Sequence, residues 1–277
     1  MKKALKAIAF AILLVATGIT AKAQSDTTNL MPSTKIYLPD YDNKTFHFGF
    51  LLAFNELTYA LKTENDYPSI AQPASSWPTG QYDISNTQCL YVQSIEPMLT
   101  PGFSVGIIGN LRLSNHFNLR FIPSLSIGER RMHYSIGIED LEGNITTKDF
   151  TKNNYSTFME FPLNLKYRIL RHNNIGPYLI GGINPKISLD LLKANKIWDI
   201  NSQGISVSFI DNFVTKRFDC AAEFGVGLDL YTKKIKLGIE AKISEGFMDI
   251  VKAPALIYTA PIDRLRNRMF QVSVLVE

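Results

Sequence analysis

Four histidines and two cysteines are the residues of this 277-residue chain best suited to acid–base, nucleophilic or metal chemistry. Nucleophilic catalysis needs a base within hydrogen-bond reach of a hydroxyl or thiol. His133, two residues before Ser135, offers one such pair, and a solvated histidine is the simpler reading of it. His47 falls at the inner end of the first apolar segment, and His116 and His172 lie in or beside short connections, away from the outer side where His133 stands. The chain contains no H-E-x-x-H, G-x-G-x-x-G or Walker-type segment. No histidine, cysteine and carboxylate group falls at metal-ligand spacing either. No catalytic site, metal or other cofactor is therefore expected.

A second chemistry is written in the charges. Lys166 and Arg168, Asp219 and Glu223, and Lys236, Glu240 and Lys242 recur at even spacings, with Glu160 and Asp229 in the same segments. Even spacing places side chains on one face of a strand. Cations and anions gathered on such faces can neutralise one another where a lone buried ion would be costly. The expected role of these nine residues is a structural ion-pair network.

The elements that must position them are strands. Phe46 to Glu56 reads FHFGFLLAFNE, with Phe46, Phe48, Phe50, Leu52 and Phe54 against a small or polar set. The same period of two returns at Phe103–Leu113, Phe117–Ile127, Met159–Ile169, Phe218–Leu230, Ile235–Ile243 and Phe270–Val276. Tyr178–Leu189 is weaker: Gly181, Gly182 and Pro185 blur its register and suggest a bulge. Eight strands result, and no convincing amphipathic helix.

Net charge removes one class of partner. The formal +4 comes from Lys2, Lys3, Lys6 and Lys22 in a stretch with no Asp or Glu, so the remainder balances and nucleic-acid binding is not expected. That stretch joins a cationic head, an apolar run over about Ala7–Ala16 and the small-residue sequence Ala21-Lys22-Ala23. It has the layout of a secretory signal peptide over residues 1–23, with cleavage before Gln24. No later run is long enough for a membrane-spanning helix, and two cysteines do not make a disulfide framework.

Alternation alone also fits a soluble β-sandwich. Strand length favours a barrel: these segments match the roughly 9–11 residues of a tilted span, against about 5–6 in globular strands. The connections add to this. Short links near 114–116, 170–177 and 231–234 alternate with long ones over about 57–102, 128–158, 190–217 and 244–269. Outer-membrane barrels show that alternation, with short periplasmic turns and long external loops. The expectation is an all-β, eight-stranded antiparallel up-and-down transmembrane barrel over residues 46–277, preceded by a periplasmic segment over 24–45. Phe46, Phe48, Phe50, Phe121, Phe161, Leu163, Phe224 and Leu237 would face lipid, and the charged set would face a lumen too narrow to conduct solutes. Cys89 and Cys220 could pair between the first long loop and the sixth strand, or Cys220 could face lipid. The aromatic first loop suggests a contact surface, and the Tyr37–Asp42 stretch either docks on a partner or simply leads into the first strand.

The runs LPDYDNKTFHFGF (Leu38–Phe50), PGFSVGIIGNLRLSNHFNLRFIPSLSIGERR (Pro101–Arg131), MEFPLNLKYR (Met159–Arg168) and PYLIGGIN (Pro177–Asn184) resemble the PorT family, called SprT in gliding bacteria, of the Bacteroidota. The resemblance implies an outer-membrane protein needed for type IX secretion, in some species linked to gliding motility, and carries no catalytic site. Expected partners are outer-membrane lipid and other type IX components, with no small-molecule substrate. Two further readings stand beside it. One is an OmpA- or OmpX-like surface barrel with an adhesive or envelope-maintenance role; the other is a lipid-modifying barrel enzyme using His133 and a nearby serine.

Overall fold

The computed structural model describes residues 35–73, 86–189, 196–200, 206–210, 216–251 and 257–277. The expected signal peptide lies outside them, as do parts of the first, third and fourth long connections. Residues Ile36–Glu277 form one compact unit. No described helix is long and apolar enough to cross a membrane.

After a single 3-10 turn at Tyr41–Asn43 the chain is almost wholly β. Strand β1 runs Phe46–Thr63, β2 Gln72–Pro73, β3 Thr87–Met98, β4 Thr100–Arg112, β5 Phe117–Phe121, β6 Ser124–Asp140 and β7 Ile145–Glu160. Then come β8 Leu163–Arg168, β9 Ile175–Ser188, β10 Lys196–Ile200, β11 Ser206–Ile210, β12 Phe218–Tyr231, β13 Lys236–Gly246 and β14 Ile262–Val276. Twelve strands form one antiparallel sheet, and β10 and β11 pair separately. The order is β12-β13-β14-β1-β4-β5-β8-β9-β7-β6-β3-β2, and β9 also pairs with β12 from Phe218↔Ile187 to Leu230↔Ile175.

The eight uninterrupted strands expected from periodicity are thus corrected to twelve sheet strands, and proline explains two of the divisions. A prolyl nitrogen has no N–H to give the ladder. Pro123 separates β5 from β6 and Pro162 separates β7 from β8. Register passes through both breaks without a slip: Gly109↔Phe121 leads on to Gly106↔Ser124, and Phe121↔Leu163 to Ser124↔Glu160. Carbonyl groups keep working where donors are missing, as when the Ile107 N–H donates to Pro123 O at 3.1 Å and the Ile122 N–H to Pro162 O at 3.2 Å.

A second correction concerns strand length. The described residues of 57–102 and 128–158, expected as loops, are largely strand. β1 continues to Thr63, β3 occupies Thr87–Met98, and β6 pairs with β7 from Glu160 out to Ile145. Likewise β14 begins at Ile262 rather than Phe270. In β7 the run ITTKDFTKNNYST is polar on both faces, so it carries no hydrophobic period to read. The tip of the β6–β7 hairpin turns on Gly143 at φ 83°, and Asp140 Oδ1 accepts the backbone N–H groups of Glu142 and Asn144 at 2.9 and 2.8 Å.

The bulge suggested for the fifth segment is absent, because β9 keeps one register along β12. Pro185 explains how: the Phe161 N–H donates to Pro185 O at 2.9 Å, so the donor Pro185 lacks falls where the neighbouring ladder is already interrupted.

Short turns at 113–116, 169–174 and 232–235 gather at one end of the strands, here the short-turn end; the extended hairpin lies at the other, the long-loop end. One face of the sheet is exposed and apolar, with Phe48 and Phe50 about as open as side chains on a sheet can be, at 72% and 69%. The opposite face is buried and holds Asn55, Asn110, Arg120, Lys166, Glu223 and Glu240.

Candidate functional site: a charge-packed interior closed by a strap

Strand alternation sends every second side chain of β5, β8, β9, β12 and β13 to the buried face, and the charges expected to pair do so across it. Arg120 Nη1 donates to Glu240 Oε2 at 2.8 Å, and the Tyr178 hydroxyl donates to the same oxygen at 2.9 Å. Glu223 accepts from Lys242 Nζ at 2.9 Å, Asn164 Nδ2 at 2.9 Å and Asn184 Nδ2 at 2.7 Å. Lys166 Nζ donates to Asp229 Oδ2 at 2.6 Å and sits 3.7 Å from the centre of the Tyr178 ring. Lys236 lies 3.8 Å from Asp229 and pairs directly with Glu277. Glu160 is 3.9 Å from Lys186, which donates to Ser244 Oγ at 3.1 Å, and Asp219 accepts from Asn267 at 2.8 Å. Ionised groups desolvated this far are tolerable only when paired and hydrogen-bonded in this way.

Eight of the nine charged residues singled out in the sequence are buried here: Glu160, Lys166, Asp219, Glu223, Asp229, Lys236, Glu240 and Lys242. Arg168 is the exception, because it sits at the short-turn end and faces Asp42 at 2.8 Å. Arg120, Lys186 and Glu277 are full members that sequence reasoning did not place in the network. Arg120 was visible in the polar set of its strand, whereas Lys186 was hidden by the Gly-Gly and Pro that blurred β9. Of the apolar set, Phe46, Phe48, Phe50, Phe121, Leu163 and Phe224 are exposed on the opposite face, and Phe161 and Leu237 are half-buried there.

Both ends of this interior are occupied. Towards the long-loop end the charges give way to an apolar cluster that includes Tyr59, Leu90, Met132, Tyr134, Ile136, Tyr258 and Leu265. Arg130 lies between the two layers, its guanidinium 4.5 Å from the Phe158 ring centre and 5.7 Å from that of Tyr59. At the short-turn end residues 37–43 form a strap. Tyr41 stacks on the imidazole of His47 with ring centres 4.2 Å apart, and His47 Nε2 lies 2.7 Å from Tyr41 O, so that nitrogen carries the proton. Asp42 accepts from the Tyr231 hydroxyl at 2.8 Å and lies 2.8 Å from Arg168 and 3.7 Å from Arg171. The Arg171 guanidinium covers the Tyr231 ring at 3.6 Å and donates to the carbonyls of Tyr37 and Leu38. Burial, reinforced by the carboxylates of Glu277 and Asp229, pushes the Tyr41 phenol above its ordinary range and keeps it a neutral donor. The Tyr37–Asp42 stretch therefore docks on the ends of its own strands.

Asp42 is the hub of that strap. Asp42→Ala should free residues 37–43 and raise the rate of proteolysis at Lys44 by about tenfold or more, since hydrogen bonds to a charged group contribute about 1.5–3 kcal/mol. The Asp40→Ala protein serves as the control and should be cut like wild type. Equal cleavage of both variants would show that Asp42 does not hold the strap.

The remaining candidates do not assemble into chemistry. Ser135 donates to Asp149 Oδ1 at 2.6 Å, and His133 lies 3.8 Å from the same carboxylate and 3.4 Å from Thr151 Oγ1. The serine proton is thus given to a carboxylate rather than to the histidine, on an exposed hairpin. His116 stacks on Tyr167 at 6.2 Å, and His172 closes the turn to Ile175. Cys89 and Cys220 are both free thiols, Cys220 lying on the outward side of β12. Among the described residues no three His, Cys, Asp or Glu side chains gather as metal ligands.

An antiparallel sheet that is apolar outside and charge-packed inside defines the outer-membrane barrel type of fold. The chain belongs to the outer membrane protein beta-barrel domain family, whose model matches residues 23–252, and it is an integral outer-membrane protein. The curated proteins include no sequence match. Among solved structures it is similar to neisserial surface protein A, NspA, at 11% identity and a TM-score of 0.34, covering 84% of this chain and 99% of that one. Ail, the attachment invasion locus protein of Yersinia pestis, is 8% identical with a TM-score of 0.30, covering 84% and 98%. OprG from Pseudomonas aeruginosa is 9% identical with a TM-score of 0.28, covering 82% and 93%.

Proposed function

We propose that this protein is a closed, non-conducting and non-enzymatic surface barrel that presents its extended long-loop end to the outside of the cell. Taking β3 with β4, β5 with β6 and β7 with β8 as interrupted halves, and leaving aside the two-residue β2, the ladder comprises eight staves. The β9–β12 pairing brings that ladder round on itself. Phe46, Phe48, Phe50, Phe121, Phe161, Leu163, Phe224 and Leu237 then meet lipid, and the charged set lines the lumen. The observation that carries the reading is the interior itself: ion pairs fill the middle, an apolar cluster fills one end and the strap covers the other. Such a barrel anchors whatever its long-loop end carries, which supports a role in adhesion or envelope maintenance.

Reconstituted in planar bilayers, the protein should give no steady single-channel conductance; a reproducible open channel would overturn the reading. Orientation is tested on intact cells with Leu141→Cys, an exposed position at the tip of the β6–β7 hairpin, in a protein whose two native thiols are removed by Cys89→Ser and Cys220→Ser. A membrane-impermeant thiol reagent should label it without cell lysis, and labelling only after lysis would reverse the topology.

A narrower reading, accessory service to type IX secretion and with it contact with other components of that system, rests on the sequence resemblance. One observation favours it: the L-P-D-Y-D string is the strap, an ordered feature of the short-turn end rather than a slack leader. Deletion of the gene followed by an assay of C-terminally tagged cargo tests it, and normal export would dispose of it while leaving the surface-barrel reading intact.

A further inference from the structure

The apolar outer surface carries a groove of about 340 Å³. Phe46 and Phe48 of β1 form one wall, Leu119 and Phe121 of β5 the other, and Gly109 of β4 the floor, with Pro123 at the far end. Register explains the shape. Gly109 lies directly between Phe48 and Phe121, paired with each on its two sides, so two aromatic rings flank a position with no side chain. Sheet packing does not require that glycine: a Cβ built there meets nothing nearer than Phe121 O at 3.5 Å, an ordinary contact. The groove is space left open rather than space forced open.

Its chemistry is one-sided. The walls and floor hold no polar side chain, and the groove is continuous with the face that meets the bilayer core. Its volume is at the small end of ligand sites, which run about 300–1,000 Å³. A slender chain fits such a space and a folded partner does not. The groove runs towards the short-turn end, where the exposed Lys44 stands two residues before Phe46. A cation at the mouth of an apolar slot complements a phosphate joined to a hydrocarbon tail.

We propose that this groove is a binding site for one membrane phospholipid, its acyl chain lying over Gly109 between Phe48 and Phe121 and its phosphate at Lys44. The inference rests on the outer-membrane location alone and stands whether the protein serves surface contact or secretion. The test uses the full-length protein in phosphatidylethanolamine and phosphatidylglycerol vesicles containing a trace of phosphatidylglycerol with a photoreactive acyl chain. Cross-links mapped by mass spectrometry should concentrate on Phe48 and Phe121 over Leu179 and Phe224, which are also exposed on the outer face but lie on β9 and β12. Gly109→Leu should abolish the groove label, whereas Gly181→Leu, which also places a side chain on the outer face with open space beside it, should leave it in place. Lys44→Glu should reduce it. Uniform labelling of the wild-type barrel, a label indifferent to Gly109→Leu or to Lys44→Glu, or cross-links to a second copy across the groove would each overturn the proposal. The wild-type distribution decides the matter even if a variant folds poorly, and heat-modifiable mobility on gels reports folding in each case.

Discussion

Replacing Glu240 with leucine is expected to destabilise the barrel by about 3–5 kcal/mol, because it strips a buried guanidinium of its counter-ion. Arg120 and Glu240 are each 1% exposed at the side chain, and Glu240 Oε2 also takes the Tyr178 hydroxyl proton. The single change leaves Arg120 desolvated and unpaired, a worse situation than having no charges there. Arg120→Leu should cost a similar amount for the mirror reason. The double variant, Arg120→Leu with Glu240→Leu, should recover a large part of the loss, since apolar groups can replace a buried pair at little net cost, the remaining deficit being the Tyr178 hydroxyl left without its acceptor. Urea titration in lipid vesicles, followed by circular dichroism and gel mobility, gives the three values. A double variant as unstable as the sum of the two singles would show that the pair is not coupled, and the filled-lumen account would lose its main support.

Gly182→Ala should be nearly as damaging, at about 3 kcal/mol or more, beyond the usual range for overpacking because the obstacle is backbone. A Cβ at Gly182 would lie 2.2 Å from Leu163 O, 2.4 Å from Asn164 Oδ1 and 2.8 Å from Asn164 Cα. Neither the carbonyl nor the Cα can rotate away, so β8 and β9 must separate, and Asn164 would lose its hold on Glu223. The adjacent glycine gives the contrast. At Gly181 a Cβ would meet only Glu223 O at 3.8 Å, on the outward side, so Gly181→Ala should stay within about 1 kcal/mol of wild type and gain a little from strand propensity. Equal tolerance of both substitutions would mean that the close approach of β8 to β9 is not required. The pair that made this segment hard to read in sequence thus divides into one glycine that the fold needs and one that it does not.

The different fates of these residues follow from what alternation can encode. A period of two is a local property, so it separated Phe48 and Phe50 from His47 and Gly49 before any partner strand was known. It assigned eight of nine charges to the buried face for the same reason. It failed where local pattern is silent: β7 is polar on both faces, and proline breaks look like ends when only one strand is in view. Membrane location was legible because apolar, strand-length faces joined by short and long links leave few other solvents for the outer face.

Which charge meets which is a separate matter. Glu240 is 120 residues from Arg120 and Asp42 is 189 from Tyr231, separations that no spacing rule reaches. Those contacts depend on the stagger of neighbouring strands and the curvature that brings β5 to face β13 across the interior. The strap is the clearest case, since Tyr37–Asp42 alone reads equally as a leader or a docking segment until Arg168, Arg171 and Tyr231 converge on it. The sequence by itself determined a membrane-embedded β protein with one greasy face and one charged face, because side-chain alternation is local. Only the tertiary structure decided that the charged face neutralises itself, that the chain's own N-terminal segment covers one end, and that a missing side chain at Gly109 opens a groove, because each depends on residues brought together from distant strands.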